Sequence, residues 1–436
     1  MSELKISLSG TKNFIMFKCN CVLKSLIFKS FLLVISLFLS FLFIEVGLRN
    51  FFIFRSDKWA PYYPLGFETA GMNFQFNQRE FDTEIEYNSS GFRDGEIPLI
   101  KNEIKPRILF VGDSFVEGFG VDLEERFTSV LSDIFIDDVE VINVGQNATG
   151  PVSYYLNLTE FGFALHPDVV IVSVFMGNDF MLGRDYEFLD GENYFVKDYL
   201  PSKTIVFEGL ISIARFEYTR SFVKKWLFEG ESISQFLIRR RSYFDFWNYY
   251  FRDEIGFNFF VRRSSLSEQE VRIWLDELEP TVREDFLNGM INPGFGLQAL
   301  SSRVQDLSNS VYYSEGDFKG VCRILDLIDS TAYTRSTKLV LLSLPALYQI
   351  DPAYHLNHLK SDFGFDTIPR QLYQLQEMND RFLHYIEEET RFSIIDMRSH
   401  LEKEDFYLFD EHLKPSGHRK VAVQLKRHLE EVLFPK

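Results

Sequence analysis

Five short apolar runs, spaced along the chain with helical stretches or glycine-marked turns behind them, constrain the fold more than any other feature. Arg107–Val111 (RILFV), Val139–Val144, Asp168–Asp179 (DVVIVSVFMGND), Thr337–Pro345 and Phe392–Met397 read as strands. Continuous β-branched runs of this kind mark parallel strands covered on both faces. Helical patterning over 124–134, 152–163, 370–388 and 415–433 supplies the covering layers. The expected class is α/β, a parallel sheet between two layers of helices.

The rhythm is interrupted once. Residues 181–335 are rich in aromatic and charged side chains and predict helices near 205–226, 267–278 and 311–330, so they are read as a mainly helical insertion. Ahead of the first strand, residues 50–80 read as irregular, and 83–98 (TEIEYNSSGFRDGEIP) as a short strand and turn.

The N-terminus carries a second strong signal. Residues 26–48 form a 23-residue apolar stretch, roughly 34 Å of helix at about 1.5 Å per residue, enough to cross a bilayer. Five lysines and one glutamate in residues 1–29 place that end in the cytoplasm. No small-residue cleavage site follows, which favours an uncleaved anchor over a signal peptide. The expected organisation is a cytoplasmic segment 1–25, a single-pass anchor 26–48 in the cytoplasmic membrane, and a linker and extension 49–105 packing on the core. An extracytoplasmic domain, 106–436, follows.

Charge and cysteines remove whole classes of function. A formal net charge of −17 argues against nucleic-acid binding. Three cysteines, Cys19, Cys21 and Cys322, make neither a disulfide framework nor a metal site. His355 and His358 are three apart with no evident further ligand, so they are read as part of a surface loop, and no metal or organic cofactor is expected.

Chemistry concentrates where strands end. Ser114 stands on the Gly-punctuated turn after the first strand, at the carboxyl edge where open α/β sheets place their sites. A serine hydroxyl is a weak nucleophile unless a base takes its proton. Asp410 and His412 lie just after the fifth strand, ahead of a helix with Pro415 in its first turn, so their loop should converge on Ser114. An oxyanion needs N–H donors. Ser114 N–H, a backbone N–H of the turn Asn143–Gly150 and the Asn178 side chain are the candidates. His418 is read as a solvated helix residue, Glu117 as hydrogen-bonding within its loop with no chemical role, and Asn88–Arg93 as a structural turn.

These blocks resemble the SGNH subgroup of GDSL hydrolases. GDSFVEG at 112–118, with Gly112 and Asp113, looks like the first block and carries over Ser114 as nucleophile. GND, with Gly177 and Asp179, looks like the third and carries over Asn178 as oxyanion donor. DEHLKPSGH at 410–418 looks like the last and carries over His412 as base with Asp410 as its partner. The second block departs: the position of the usual glycine holds Ala148, between Gly145 and Gly150. Alanine keeps the N–H that the family uses. Glu45–Arg49 and Asn88–Arg93 also resemble segments of anchored bacterial members. The resemblance implies a flavodoxin-like α/β/α sandwich and ester hydrolysis through an acyl-enzyme, on acyl esters of carbohydrate or lipid. The same intermediate could instead pass its acyl group to a sugar hydroxyl. A non-catalytic envelope scaffold is the reading from another class.

Overall fold

In the computed structural model the described residues are 71, 73–136, 138–147, 149–180, 261, 266–291, 315–363 and 371–434, with isolated positions 29, 36 and 40. The chain separates into two compact units, residues 1–60 with 196–221, and residues 61–195 with 222–436. The strands, their covering helices and the Ser114, Asp410 and His412 positions all belong to the second unit. Apart from three positions the 26–48 segment falls outside the described residues, as does the expected helix at 205–226. No helix among the described residues is long and apolar enough to cross a membrane.

An antiparallel hairpin, β1 (Asn73–Asn77) and β2 (Asp82–Glu86), precedes the main sheet. The sheet itself contains β3 (Arg107–Val111), β4 (Glu140–Asn143), β5 (Val169–Phe175), β6 (Lys338–Leu344) and β7 (Ser393–Asp396). Its order is β4-β3-β5-β6-β7 and every pairing is parallel. Counted along the sheet that is 2-1-3-4-5, the doubly wound flavodoxin-like order, whose direction of winding reverses between the first and third strands. All residues of β3 and β5 are buried. Each such Val, Leu or Ile contributes about 1.5–3 kcal/mol relative to exposure, so the central strands anchor the fold.

The helices are α1 (Ser114–Glu117), α2 (Phe127–Phe135), α3 (Pro151–Glu160), α4 (Glu268–Glu277), α5 (Pro280–Leu287), α6 (Glu315–Tyr333), α7 (Leu347–Ile350), α8 (Pro352–Phe363), α9 (Gln371–Glu389) and α10 (Pro415–Leu433). Helix α2 packs on α10, while α6 packs on α3 and α9. Right-handed crossovers put these two groups on opposite faces, because β3→β4 and β4→β5 step across the sheet in opposite directions.

Two expectations need correction. Residues 50–80 are not irregular throughout, since NFQFN forms β1, which pairs with β2 from Asn73–Glu86 to Asn77–Asp82. Its alternating pattern is only five residues long and is hidden by the aromatic stretch before it. The second correction concerns the segment 181–335. Helix α6, placed there within an insertion, is the crossover helix feeding β6, with Phe318, Val321, Ile324, Leu325 and Ile328 buried.

The hairpin belongs to the core. Phe76, Phe81, Ile85 and Tyr87 pack with Phe119 from the turn after α1 and Tyr407 from the loop after β7. Arg93 is wholly buried, and its guanidinium donates to Gly118 O, to Val121 O (2.7 Å) and to Glu84 O (3.0 Å). This confirms a structural turn at Asn88–Arg93, where Asn88 Oδ1 accepts from Ser90 N and Phe92 N. Hairpin, the Ser114 turn and the loop after β7 are thereby one packed body.

Candidate active site

The turn after β3 is shaped by close approach. A Cβ at Gly112 would collide with Val116 Cγ2, so only glycine lets α1 start directly on the strand end. Asp113 caps α1, its Oδ1 accepting from Phe115 N at 3.0 Å. Ser114 follows as the first helical residue, 7% exposed.

The loop from 405 to 414 brings the second half of the site. It folds back on itself through Tyr407 N–H to His412 O (2.8 Å), Lys414 N–H to Asp405 O (2.7 Å) and a bridge between Phe406 and Leu413. At its apex Glu411 adopts φ +66°, left-handed and unusual for a residue with a side chain. That reversal puts Asp410 and His412 on the same side and turns Glu411 away. Tyr407 Oη donates to Gly120 O at 2.8 Å, tying the loop to the Ser114 turn.

His412 Nε2 lies 2.7 Å from Ser114 Oγ, and His412 Nδ1 lies 2.5 Å from Asp410 Oδ1. The imidazole sits between Phe115 and Phe119, each ring centroid 4.7 Å away. Burial alone would depress the basicity of His412. Asp410 outweighs it, with Asp113 and Glu411 adding, so His412 is raised above its ordinary value. A neutral His412 with Nδ1–H donated to Asp410 leaves Nε2 as acceptor for the Ser114 hydroxyl.

The second block is built around Asn143. Its side-chain amide donates to Val116 O (2.6 Å) and Thr128 Oγ1 (3.0 Å), while its Oδ1 accepts Gly145 N–H at 2.8 Å. The next amides are also engaged, Gln146 N–H by Gly112 O and Asn147 N–H by the Glu117 carboxylate. The N–H groups of residues 145–147 are therefore all engaged within the protein. Ala148, the predicted donor, lies outside the described residues. Gly145 serves packing: a Cβ there would meet Val116 at 2.6 Å and Glu117 N at 2.7 Å. Gly150 precedes α3 as its N-cap.

Gly177 and Asn178 form the turn after β5, with Asn178 exposed. Asp179 is buried beneath it and accepts from Phe175 N (2.8 Å) and Tyr154 Oη (2.9 Å). Burial, then the nearby Asp113, pushes Asp179 well above its ordinary value. Burial also pushes Asp113 up to about 6, against the pull of His412. Each of these carboxyls caps the turn at its own strand end, Asp113 after β3 and Asp179 after β5.

Three residues behave differently from their sequence reading. His355 and His358 are not on a surface loop: both are buried on α8, and His355 Nε2 lies 2.5 Å from Glu411 Oε1. Burial raises Glu411, but His355 more than compensates, so its carboxylate is held below the usual range. His418 is not solvated either, being 1% exposed with Nδ1 accepting from Phe127 N at 3.1 Å. Burial pushes it down to about 3, so it stays neutral. Glu117 is 2% exposed and accepts from Tyr87 Oη at 2.7 Å as well as from Asn147. Glu80, which no sequence motif marked, accepts main-chain N–H groups from the loop that carries Asp410.

No family model and no curated protein matches the chain. Among solved structures it is similar to an acetyl xylan esterase, AlAXEase, at 11% identity and TM-score 0.34, covering 74% of this chain and 99% of that one. A member of the lipolytic protein G-D-S-L family from Veillonella parvula is similar at 9% identity and TM-score 0.31, covering 74% and 96%. A GDSL-like lipase from Bacteroides thetaiotaomicron is similar at 12% identity and TM-score 0.31, covering 76% and 91%.

Proposed function

We propose that the chain is a serine ester hydrolase of the SGNH type. The observation that carries this reading is the continuous hydrogen-bonded line from Asp410 through His412 to Ser114 Oγ at the carboxyl edge of a doubly wound sheet. Ser114 Oγ attacks the ester carbonyl as His412 Nε2 takes its proton. The tetrahedral intermediate collapses, His412 returns the proton to the departing alcohol, and an acyl-enzyme remains. Water, deprotonated by His412, then attacks the acyl carbonyl, and the carboxylic acid leaves as Ser114 recovers its proton. Asp410 holds the imidazole tautomer and stabilises the imidazolium. Ser114 N–H, Ala148 N–H and the Asn178 amide are the proposed oxyanion donors.

The substrates are acyl esters of carbohydrate or lipid, met outside the cytoplasmic membrane. The apolar 26–48 segment and its lysine-rich N-terminal flank support a tether with the domain outside. Hydrolysis of nitrophenyl esters by the full chain in detergent tests the activity. Turnover that Ser114→Ala abolishes supports it, and turnover unchanged in Ser114→Ala contradicts it.

A further inference from the structure

The tip of the β1–β2 hairpin reaches the candidate site without joining the serine relay. Gln78 N–H closes the tip on Phe81 O at 2.8 Å, which leaves Glu80 pointing at the 405–414 loop. Its Oε1 accepts Leu408 N–H at 2.7 Å, and its Oε2 accepts Phe409 N–H at 2.7 Å and Asp410 N–H at 3.1 Å. These three consecutive amides lie in an irregular loop, with neither helix nor sheet ladder to receive them. An ionised carboxylate, with two oxygens and about four lone-pair sites, suits such a convergent set of donors. Burial raises Glu80, the Leu408 and Phe409 amides pull it back, and the charge of Asp410 adds to the rise.

The neighbouring tip residues hold the opposite side. Arg79 N–H donates to Met290 O at 2.8 Å, and its guanidinium pairs with Asp285 and donates to Thr281 Oγ1 at 3.3 Å. The same guanidinium lies 4.7 Å over the Phe409 ring. Gln78 Nε2 donates to Gly289 O at 3.3 Å. The tip therefore joins α5 and its C-terminal turn to the loop that carries Asp410 and His412.

We propose that Glu80 is a positioning residue for the Asp410–His412 pair. By fixing the main chain of 408–410 it sets where the Asp410 carboxylate meets His412 Nδ1, and so sets the orientation and basicity of the imidazole. The proposal rests on the serine-hydrolase reading for its consequence in catalysis, but its structural core is the Asp410–His412 geometry. Arg79 and Gln78 make the helical segment around α5 a second support of that geometry.

The test uses the full chain carrying carbon-13 at histidine Cε1, with the His412 signal assigned through His412→Gln. His412 faces Asp410, Asp113 and Glu411, with His418 also within electrostatic reach. In Glu80→Gln the side-chain amide can no longer receive all three N–H groups, and Asp410 loosens. The His412 titration midpoint is expected to fall by about half a pH unit or more as imidazolium stabilisation is lost. The His355 and His418 signals stay in place, which separates repositioning from unfolding. The rate of labelling by a fluorophosphonate serine probe is expected to fall about 10- to 100-fold. Should Glu80→Gln not fold, Arg79→Ala, which frees the tip from α5, is expected to move His412 in the same direction. A His412 midpoint unchanged in a folded variant overturns the proposal. A wild-type chain that resists the probe while its His412 midpoint still responds to Glu80→Gln overturns the hydrolase reading and supports the positioning role.

Discussion

His412 Nε2 lies 2.7 Å from Ser114 Oγ although 298 residues separate them. Two local devices close that gap: a strand-to-helix turn that only glycine at 112 permits, and a loop whose left-handed Glu411 returns His412 toward the sheet. Tyr407, bonded to Gly120 O, ties the two devices together.

Activity should follow the protonation of His412. The base must be neutral to accept the Ser114 proton, and Asp410 raises His412 above its ordinary value. Ester hydrolysis should therefore rise with pH through a midpoint above about 6.5, the usual value for histidine. In Asp410→Asn the charge that raises His412 is gone, so the midpoint moves to lower pH. The plateau falls by about 10³- to 10⁴-fold, as expected when a triad carboxylate is lost. A kcat/KM profile from pH 4 to 9 reads both effects.

Asn178 is exposed on the turn after β5, and its side-chain amide is a proposed oxyanion donor. Asn178→Ala is expected to lower kcat by about 10²- to 10³-fold with KM little changed, because the donor acts in the transition state. Steady-state kinetics on one nitrophenyl ester decides it.

Gly145 marks the packing of the second block against the Ser114 turn. Gly145→Ala places a methyl 2.6 Å from Val116 and 2.7 Å from Glu117 N, both on α1. Overpacking of this kind costs about 1–3 kcal/mol. Urea unfolding should show a lower midpoint, and the displaced α1 should slow Ser114 labelling as well.

His418 makes stability depend on acidity. Folded, it takes a proton only near pH 3, whereas its ordinary value is 6.5. The unfolded chain thus binds a proton that the folded chain refuses, and stability falls as pH drops from about 6.5 toward 3. One such group contributes a slope of up to about 1.4 kcal/mol per pH unit. His418→Gln keeps an acceptor for Phe127 N–H and removes the titration. The loss of stability between pH 7 and pH 5 should be smaller in the variant by about 2 kcal/mol, that slope acting over the roughly 1.5 pH units below 6.5.

The central strands were readable because they are buried on both faces and carry continuous apolar runs, as in Val169–Phe175. Ser114, Asp410 and His412 were readable because they stand on the turn and loop that follow two strands of the sheet. Strand β2 was readable at the start of 83–98, but β1 and its pairing with β2 were not, since a five-residue strand with one buried position leaves little pattern. The buried roles of Glu80, Glu117, His355 and His418 were hidden for a different reason. Each is a polar side chain whose partner is at least 30 residues away, such as Tyr87 for Glu117 or Leu408 for Glu80. No spacing rule anticipates a bond of that range, and polar residues are by default placed in solvent.

The central claim is that Ser114 is an activated nucleophile. The full chain in detergent would be incubated with a fluorophosphonate probe and the modified residue located by mass spectrometry, beside Ser114→Ala and His412→Ala. The account predicts a single adduct on Ser114 in the wild type and none in either variant. A folded wild-type chain that takes no label, or labels equally well in His412→Ala, would contradict it.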